Sequence, residues 1–449
     1  MKRTLAQEAA KKIGKEVIIK GWVHTVRSHG KIAFTDILDR SGLIQVVGSD
    51  STAEKITSLS QQDAVEIKGI VKERGERYIN EDLATGKIEI EASEINIIAN
   101  SETVPFDMGG KDLTLELPTL LDHRALTLKH PKVQMIFKIQ ASLADEFREA
   151  AKKLNCTEIF VPTIAAGATE GGAEVFKVDY YGHEAFMTQS PQLYKQIMVG
   201  VFERVFTIAK AYRAEPSVTT RHLAEATQMD IEIGFIESFE ELLDALEFVG
   251  CEMIKNTSEK YPEILDAFGI EKPLISSAVP RLTLREAQDI VTKRTGRDLS
   301  GELDLNPDDE KEICDWAKEE KNSDFVTITH FPTKKRAFYT MPDSKDPEYS
   351  LSYDLLFRGL EILSGSQRIN DYSQLVDAMK TKDVDPKNFG TYLMAFKFGM
   401  PPEGGFSFGL ERLTMKLLGL GNVREASLFP RDMERVDERF SKIQKEEDQ

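Results

Sequence analysis

FTIAKAYRAEPSVTTRHLAEATQMDIEIGF, residues 206–235, is two β-forming runs around a polar loop, and the charges it carries decide how the chain is to be understood. Arg213 and Glu215 close the first run, Arg221 and His222 sit in the loop, and Glu225 and Asp230 follow. A guanidinium grips phosphate oxygens through two parallel hydrogen bonds. A hairpin with arginine at its stem and Arg-His at its tip therefore suits a polyphosphate. In isolation, a solvated and salt-bridged hairpin explains the same residues.

Two further stretches lie downstream. In Tyr353–Gly365 (YDLLFRGLEILSG), Asp354 and Glu361 stand at odd spacing, so one straight strand would point them to opposite faces. A bend at Arg358-Gly359 brings both carboxylates to one hard cation, and oxygen ligands beside a nucleotide's phosphates are the usual Mg²⁺ arrangement. In Gly404–Leu413 (GGFSFGLERL), glycines 404, 405 and 409 permit close approach of a ligand to backbone, and Arg412 opens a helix where it can stack on a base. Neither GxxxxGK[ST] nor GxGxxG occurs, which argues against P-loop and Rossmann nucleotide binding.

Upstream, five short runs rich in Val, Ile and Phe (16–29, 31–38, 43–47, 63–73 and 87–99) read as strands, with a polar helix at 51–60 between the third and fourth. That is the order of an OB-fold barrel, which often binds oligonucleotides; other small barrels share it. The reading gives an N-terminal β-barrel at 1–102, a Pro- and Gly-containing linker at 103–130, and an α+β domain at 131–449. The α+β domain starts with an amphipathic helix at 132–154 and a strand stopped by Pro162. Residues about 240–320 read as an acidic helical insertion.

With 449 residues, 41% apolar and 30% charged, the chain is an ordinary globular one of two or three domains. Its net charge of −17 argues against sequence-blind coating of DNA, though a local basic patch can still hold a folded RNA. Cys156, Cys251 and Cys314 are isolated, which supports neither disulfides nor a zinc cluster. No apolar run is long enough for a membrane helix, and Met1–Ile13 is charged rather than signal-like, so a cytoplasmic location is expected.

Together, a helix leading to a strand that ends in proline, the Tyr-Arg-Ala-Glu strand with its Arg-His loop, and the Gly-Leu-Glu-Arg helix start resemble the three motifs of class II aminoacyl-tRNA synthetases, in order. Ser190-Pro191-Gln192-Leu193-Tyr194-Lys195-Gln196, Thr169-Glu170-Gly171-Gly172-Ala173-Glu174 and Phe429-Pro430-Arg431-Asp432 look like the archaeal-type aspartyl-tRNA synthetases. The resemblance implies a class II catalytic domain (an antiparallel sheet flanked by helices), an OB-fold anticodon-binding domain, and a homodimer. It implies aspartate activation by ATP with Mg²⁺, then transfer to tRNA. Arg213 would hold the α-phosphate and the substrate carboxylate, Glu215 the adenine amino group, and Arg221 with His222 the γ-phosphate. Arg412 would stack on adenine, while Asp354, Glu361 and Ser364 look like the magnesium side. Glu170 lies in the loop that closes over the amino acid. Relatives place a large aromatic near Ala226-Thr227, and this chain does not.

For the amino acid, Lys195 and Arg368, with Gln192 nearby and Asp230 placed to pair with Lys195, favour a side-chain carboxylate. An asparaginyl enzyme, a tRNA-independent amino-acid ligase and a single-strand binding module with an inert catalytic domain are the alternatives. By the resemblance, Phe34, Arg27 and Gln45 match positions that read the anticodon. His24 stands where members restricted to the aspartate tRNA tend to carry tryptophan. A smaller ring there favours charging of both tRNA-Asp and tRNA-Asn, which would require an amidotransferase acting on Asp-tRNA.

Overall fold

Apolar residues at alternate positions make β1 (Glu16–His29) a strand with one inward face, burying Val17, Ile19 and Val23. Gly21 shares that face, and a Cβ there would lie 2.3 Å from the Leu38 carbonyl oxygen. The computed structural model describes residues 2–81, 83–167, 174–216 and 219–441. In it β1 joins β2 (Ile32–Asp39), β3 (Gly42–Ser49), β4 (Ala64–Glu73) and β5 (Ile88–Ala99) in a closed barrel of order β1-β2-β3-β5-β4. The helix Asp50–Thr57, between β3 and β4, packs Ala53 and Ile56 into the barrel core. The chain divides into two compact units, Met1–Gln134 and Met135–Gln449.

In the second unit the stripe Ile136, Ile139, Leu143, Phe147 and Ala150 of the helix Pro131–Lys153 is buried in the main core. The principal sheet is built from β6 (Thr157–Glu158), β10 (Arg204–Tyr212), β11 (Glu225–Gly234), β12 (Arg281–Thr283), β13 (Phe325–Thr329), β14 (Ser352–Phe357), β15 (Glu361–Gln367) and β16 (Glu403–Gly409). Their order is β12-β13-β14-β15-β16-β11-β10-β6. It is antiparallel except at its edges, where β12 runs parallel to β13 and β6 to β10. Three short strands, β7 (Ile164–Ala165), β8 (Lys177–Tyr180) and β9 (His183–Met187), form a separate small sheet. Among the described residues no helix is long and apolar enough to cross a membrane.

The expected insertion at 240–320 is corrected by the structure. The helix Phe239–Lys260 buries Leu242, Leu246, Val249 and Met253 in the main core, and β12 belongs to the principal sheet. The region is part of the domain's frame. Most of its acidic residues lie on the outer faces of helices whose inner faces are apolar, Asp309 and Glu310 being turned inward, and a helix packed on a sheet has that same pattern.

Candidate active site

Helix Gln192–Phe202 buries Gln192, Lys195, Gln196 and Val199, so three polar residues at helical spacing turn inward where apolar ones would be expected. Lys195 is 1% exposed, and its ammonium pairs with Asp230 (2.8 Å) and Glu232 (3.0 Å), two carboxylates on the same face of β11. Arg368 donates through Nε to Glu232 Oε1 (2.7 Å) and through Nη2 to Glu232 Oε2 (3.2 Å), Gly405 O (2.9 Å) and Gln192 Oε1 (3.3 Å). Burial opposes ionisation of Glu232, but the Arg368 and Lys195 charges outweigh it and hold the carboxyl below its usual range. Asp230, held by Lys195 and Ser407 alone, is pushed up by its burial.

Gln192, Lys195, Asp230, Arg368 and Ser407 line a cavity of about 510 Å³, with Glu232 behind them outside its lining. Among the described residues, seven lysines and arginines and three carboxylates line it, so the site is locally basic in a chain of net charge −17. Arg213, Arg221, His222 and Arg412 reach it from the β10–β11 hairpin and the helix Leu410–Leu418. Arg221 is paired with Glu310 (3.0 Å), in the first turn of the helix Pro307–Lys321, whose start Asn306 caps. His222 Nδ1 is hydrogen-bonded to Thr219 Oγ1 at 2.5 Å, in a direction set by the ring's tautomer; burial and Arg412 lower its pKa. Glu215 lines an adjoining cleft of about 340 Å³, shared with Arg213, rather than the main cavity.

The turn Arg358-Gly359 (φ +48° and +78°) folds β14 back on β15, a two-residue hairpin in which glycine takes a left-handed position. It sets Asp354 directly opposite Ser364. Arg336 bonds both, at 2.8 Å to Asp354 Oδ2 and 3.1 Å to Ser364 Oγ. Glu361 meets Arg412 at 3.5 Å. Although 34% of its side chain is exposed, packing around the carboxyl and the Asp354 charge push its pKa up to about 7. Asp354 Oδ1 is buried without a hydrogen-bond partner. Two carboxylates in mutual repulsion, an unsatisfied oxygen and a hydroxyl fit a hard divalent cation that takes its remaining ligands from phosphates.

Two of the three glycines expected to admit a ligand do something else. A Cβ on Gly404 would lie 2.3 Å from Leu242 Cδ1, and one on Gly405 would lie 2.2 Å from both Glu232 Oε2 and the Ile231 carbonyl oxygen. They make room for a helix and for a buried carboxylate. Gly409 alone lines the cavity, with only Arg412 side-chain atoms near its Cβ position. Gly405→Ala should therefore lower stability by about 1–3 kcal/mol through overpacking, measurable as a fall in the unfolding midpoint. A parent-like midpoint would contradict this packing.

On the barrel, Arg27 faces Phe34 across β1 and β2, and Gln45 faces Asp36 across β2 and β3. Phe34 is half-buried and outside the barrel core, its ring 6.0 Å from His29. Arg27 also bonds Asp36 (2.9 Å). Arg27, Phe34 and Gln45 thus share an outer face. His24 does not. It sits at a break in the β1–β2 register, 5% exposed, with its ring 6.2 Å from His130. Burial and His130 keep its pKa low. His24 is covered at this bulge, outside the barrel's apolar core, with His130 and the charges of Asp36 and Asp107 beside it.

Residues 116–433 match the family model of class II tRNA synthetases (D, K and N), and residues 17–98 match an OB-fold nucleic acid binding domain. The chain belongs to the class II tRNA synthetases. An aspartate–tRNA(Asp/Asn) ligase from Deinococcus radiodurans is 40% identical to this synthetase, covering 97% of this chain and 99% of its own. An aspartate–tRNA(Asp) ligase from Pyrococcus furiosus is 38% identical, covering 94% and 96%. The crystal structure of asparaginyl-tRNA synthetase from Pyrococcus horikoshii with asparaginyl-adenylate superposes with a TM-score of 0.86 at 30% identity, covering 97% and 99%. Class II synthetases use ATP as a substrate and bind tRNA.

The synthetase's cavity gathers Gln192, Lys195, Arg213, Arg221, His222, Asp230, Glu361, Ser364, Arg368 and Arg412 from among the expected residues. Asp354, opposite Ser364 on the neighbouring strand, is not among the lining residues, and Glu170 lies outside the described residues. Ala226 lines the cavity with Leu223 and Val423, while the Thr227 amide donates to Glu411 (2.9 Å). Sequence reasoning missed Glu232, Glu310 and Arg336. Strand parity with Asp230 was a signal for Glu232; Glu310 and Arg336 had none, because only the fold brings them in.

Proposed function

We propose that this chain is an aspartate–tRNA ligase, which activates L-aspartate with ATP to aspartyl-adenylate and transfers it to the 3′ end of tRNA. The buried cations Lys195 and Arg368 carry this reading. Their charges face Asp230 and Glu232. An amino acid brings an ammonium that takes up Asp230, which leaves two cations for Glu232 and one further negative charge. A side-chain carboxylate supplies it, whereas asparagine would leave a buried positive charge uncompensated. The same count disfavours an asparaginyl enzyme despite the likeness to one in fold.

The chemistry is an in-line attack of the substrate's own carboxylate on the α-phosphorus, with pyrophosphate leaving, so no protein nucleophile is required. What the protein supplies is positioning and charge. Arg213 would hold the α-phosphate with the attacking carboxylate. Arg412 would cover one face of the adenine, with Leu223, Ala226 and Val423 as apolar lining in place of an aromatic. Arg221 and His222 would take the γ-phosphate, Arg221 exchanging Glu310 for it, and Glu215 would meet the adenine amino group. Asp354, Glu361 and Ser364 would hold Mg²⁺, which when bound neutralises phosphate charge. ATP–pyrophosphate exchange tests the assignment: aspartate should support it at least about 100-fold better than asparagine, equivalent to about 2.8 kcal/mol at 1.4 kcal/mol per decade. Equal exchange with asparagine would sink it.

The anticodon would be read on the barrel's outer face by Arg27, Phe34 and Gln45. Phe34→Ala should weaken aminoacylation by about 1–3 kcal/mol, the worth of one stacked base, and leave pyrophosphate exchange unchanged. Loss in both assays would make Phe34 a fold residue. Charging of both tRNA-Asp and tRNA-Asn is supported by the Asp/Asn name of the Deinococcus radiodurans relative, with the small ring of His24 leaving room for either last anticodon base. It implies an amidotransferase that consumes Asp-tRNA. The two transcripts at matched concentration should be charged within roughly 1000-fold, about 4 kcal/mol; a wider gap contradicts the relaxed choice. A homodimer accords with the exposed apolar side chains Phe160 (89%), Val201 (62%) and Phe398 (84%).

A further inference from the structure

Behind the cations of the amino-acid pocket lies a buried carboxyl that the mechanism above does not use. Glu403, the first residue of β16, is fully buried, and its Oε2 has no hydrogen-bond partner. Its Oε1 accepts from Gln196 Nε2 (3.0 Å). Gln196 Oε1 in turn accepts from Tyr392 OH (3.1 Å) and from Gln192 Nε2 (3.0 Å). That spends the Gln192 amide nitrogen and leaves its Oε1 toward Arg368 Nη2 (3.3 Å). Every amide in the chain has its sense fixed by the next. If Gln196 turned over, its nitrogen would face the Gln192 amide nitrogen, another donor, and Gln192 would lose its acceptor, which is costly for groups this deeply buried.

We propose that Glu403 is a positioning residue for substrate selection, acting through Gln196 and Gln192 to hold the Arg368 guanidinium where it receives the substrate's side-chain carboxylate. This rests on the aspartate reading of the pocket. Burial and the Glu232 carboxylate push the Glu403 pKa well above the usual range. An ionised Glu403 would add a third negative charge beside Asp230 and Glu232 and compete with the substrate for Lys195 and Arg368. No oxygen of Glu403 touches the cavity, so its effect is indirect.

The test compares Glu403→Gln, which keeps an acceptor and neutrality, with Glu403→Leu, which keeps bulk and loses the acceptor. KM for aspartate, KM for ATP and kcat are read by ATP–pyrophosphate exchange on the full chain, together with the unfolding midpoint. Glu403→Leu should raise the aspartate KM tenfold or more, leaving the ATP KM within twofold, and Glu403→Gln should restore the aspartate KM to within threefold of the parent. Should Glu403→Leu fail to fold, Gln196→Met breaks the same chain one step nearer the pocket and must raise the aspartate KM selectively. The proposal is overturned if the aspartate KM stays at the parent value, if both KM values rise together, or if Gln fails to rescue. Exchange of the parent with asparagine in preference to aspartate is a separate result, and it would overturn the pocket assignment itself.

Discussion

Lys195→Leu is expected to lower kcat/KM for aspartate in pyrophosphate exchange by roughly 100-fold to several thousand-fold, while the KM for ATP changes little. The lysine is 1% exposed and sits between two carboxylates. Removing one member of a buried ion pair costs about 3–5 kcal/mol, because its partner is left buried and uncompensated. Here the loss falls twice. The empty protein keeps Asp230 and Glu232 with Arg368 as the remaining nearby cation, and the incoming carboxylate finds one cation where it needs two. Stability should fall as well, so the diagnostic quantity is the ratio of aspartate to ATP effects. Arg368→Leu should behave alike. If either variant exchanges aspartate at the parent rate, these cations do not hold the substrate.

Arg213→Ala should lower kcat by about 100- to 1000-fold, the effect of removing one donor aimed at charge that develops in a transition state. Arg213 follows β10 and lines both the main cavity and the adjoining cleft, and its side chain is exposed. Truncation there leaves the core untouched, so the unfolding midpoint should stay at the parent value. A fall in the midpoint matching the loss of rate would mean that Arg213 braces the hairpin and has no part in the chemistry.

The sequence reveals most of this molecule where periodicity and sterics act locally. The barrel strands were legible because inward Val and Ile alternate with polar residues, and the β14–β15 turn because Gly359 suits a left-handed position. The helix Phe239–Lys260 was not, since an acidic amphipathic helix has the same pattern whether it decorates a domain or covers its sheet. The burial of His24 was not legible, because it follows from a register break in β1 and from a histidine 106 residues further on, His130. Lys195, Asp230 and Arg368 were recognisable because a side-chain carboxylate needs cations in its pocket and Asp230 was placed to pair with Lys195. Glu310 and Glu403 were not, because their partners Arg221 and Gln196 lie 89 and 207 residues away. Only the folded sheet brings those pairs together.

The central claim joins an aspartate pocket to a tRNA substrate, and aminoacylation tests both at once. The purified chain is incubated with ATP, Mg²⁺ and a tRNA-Asp transcript, and with radiolabelled aspartate or asparagine in parallel. Acid-precipitable label on the tRNA with aspartate, and none above background with asparagine, is the predicted result. Label from asparagine, or aspartate-dependent pyrophosphate exchange with no transfer to tRNA, would contradict it.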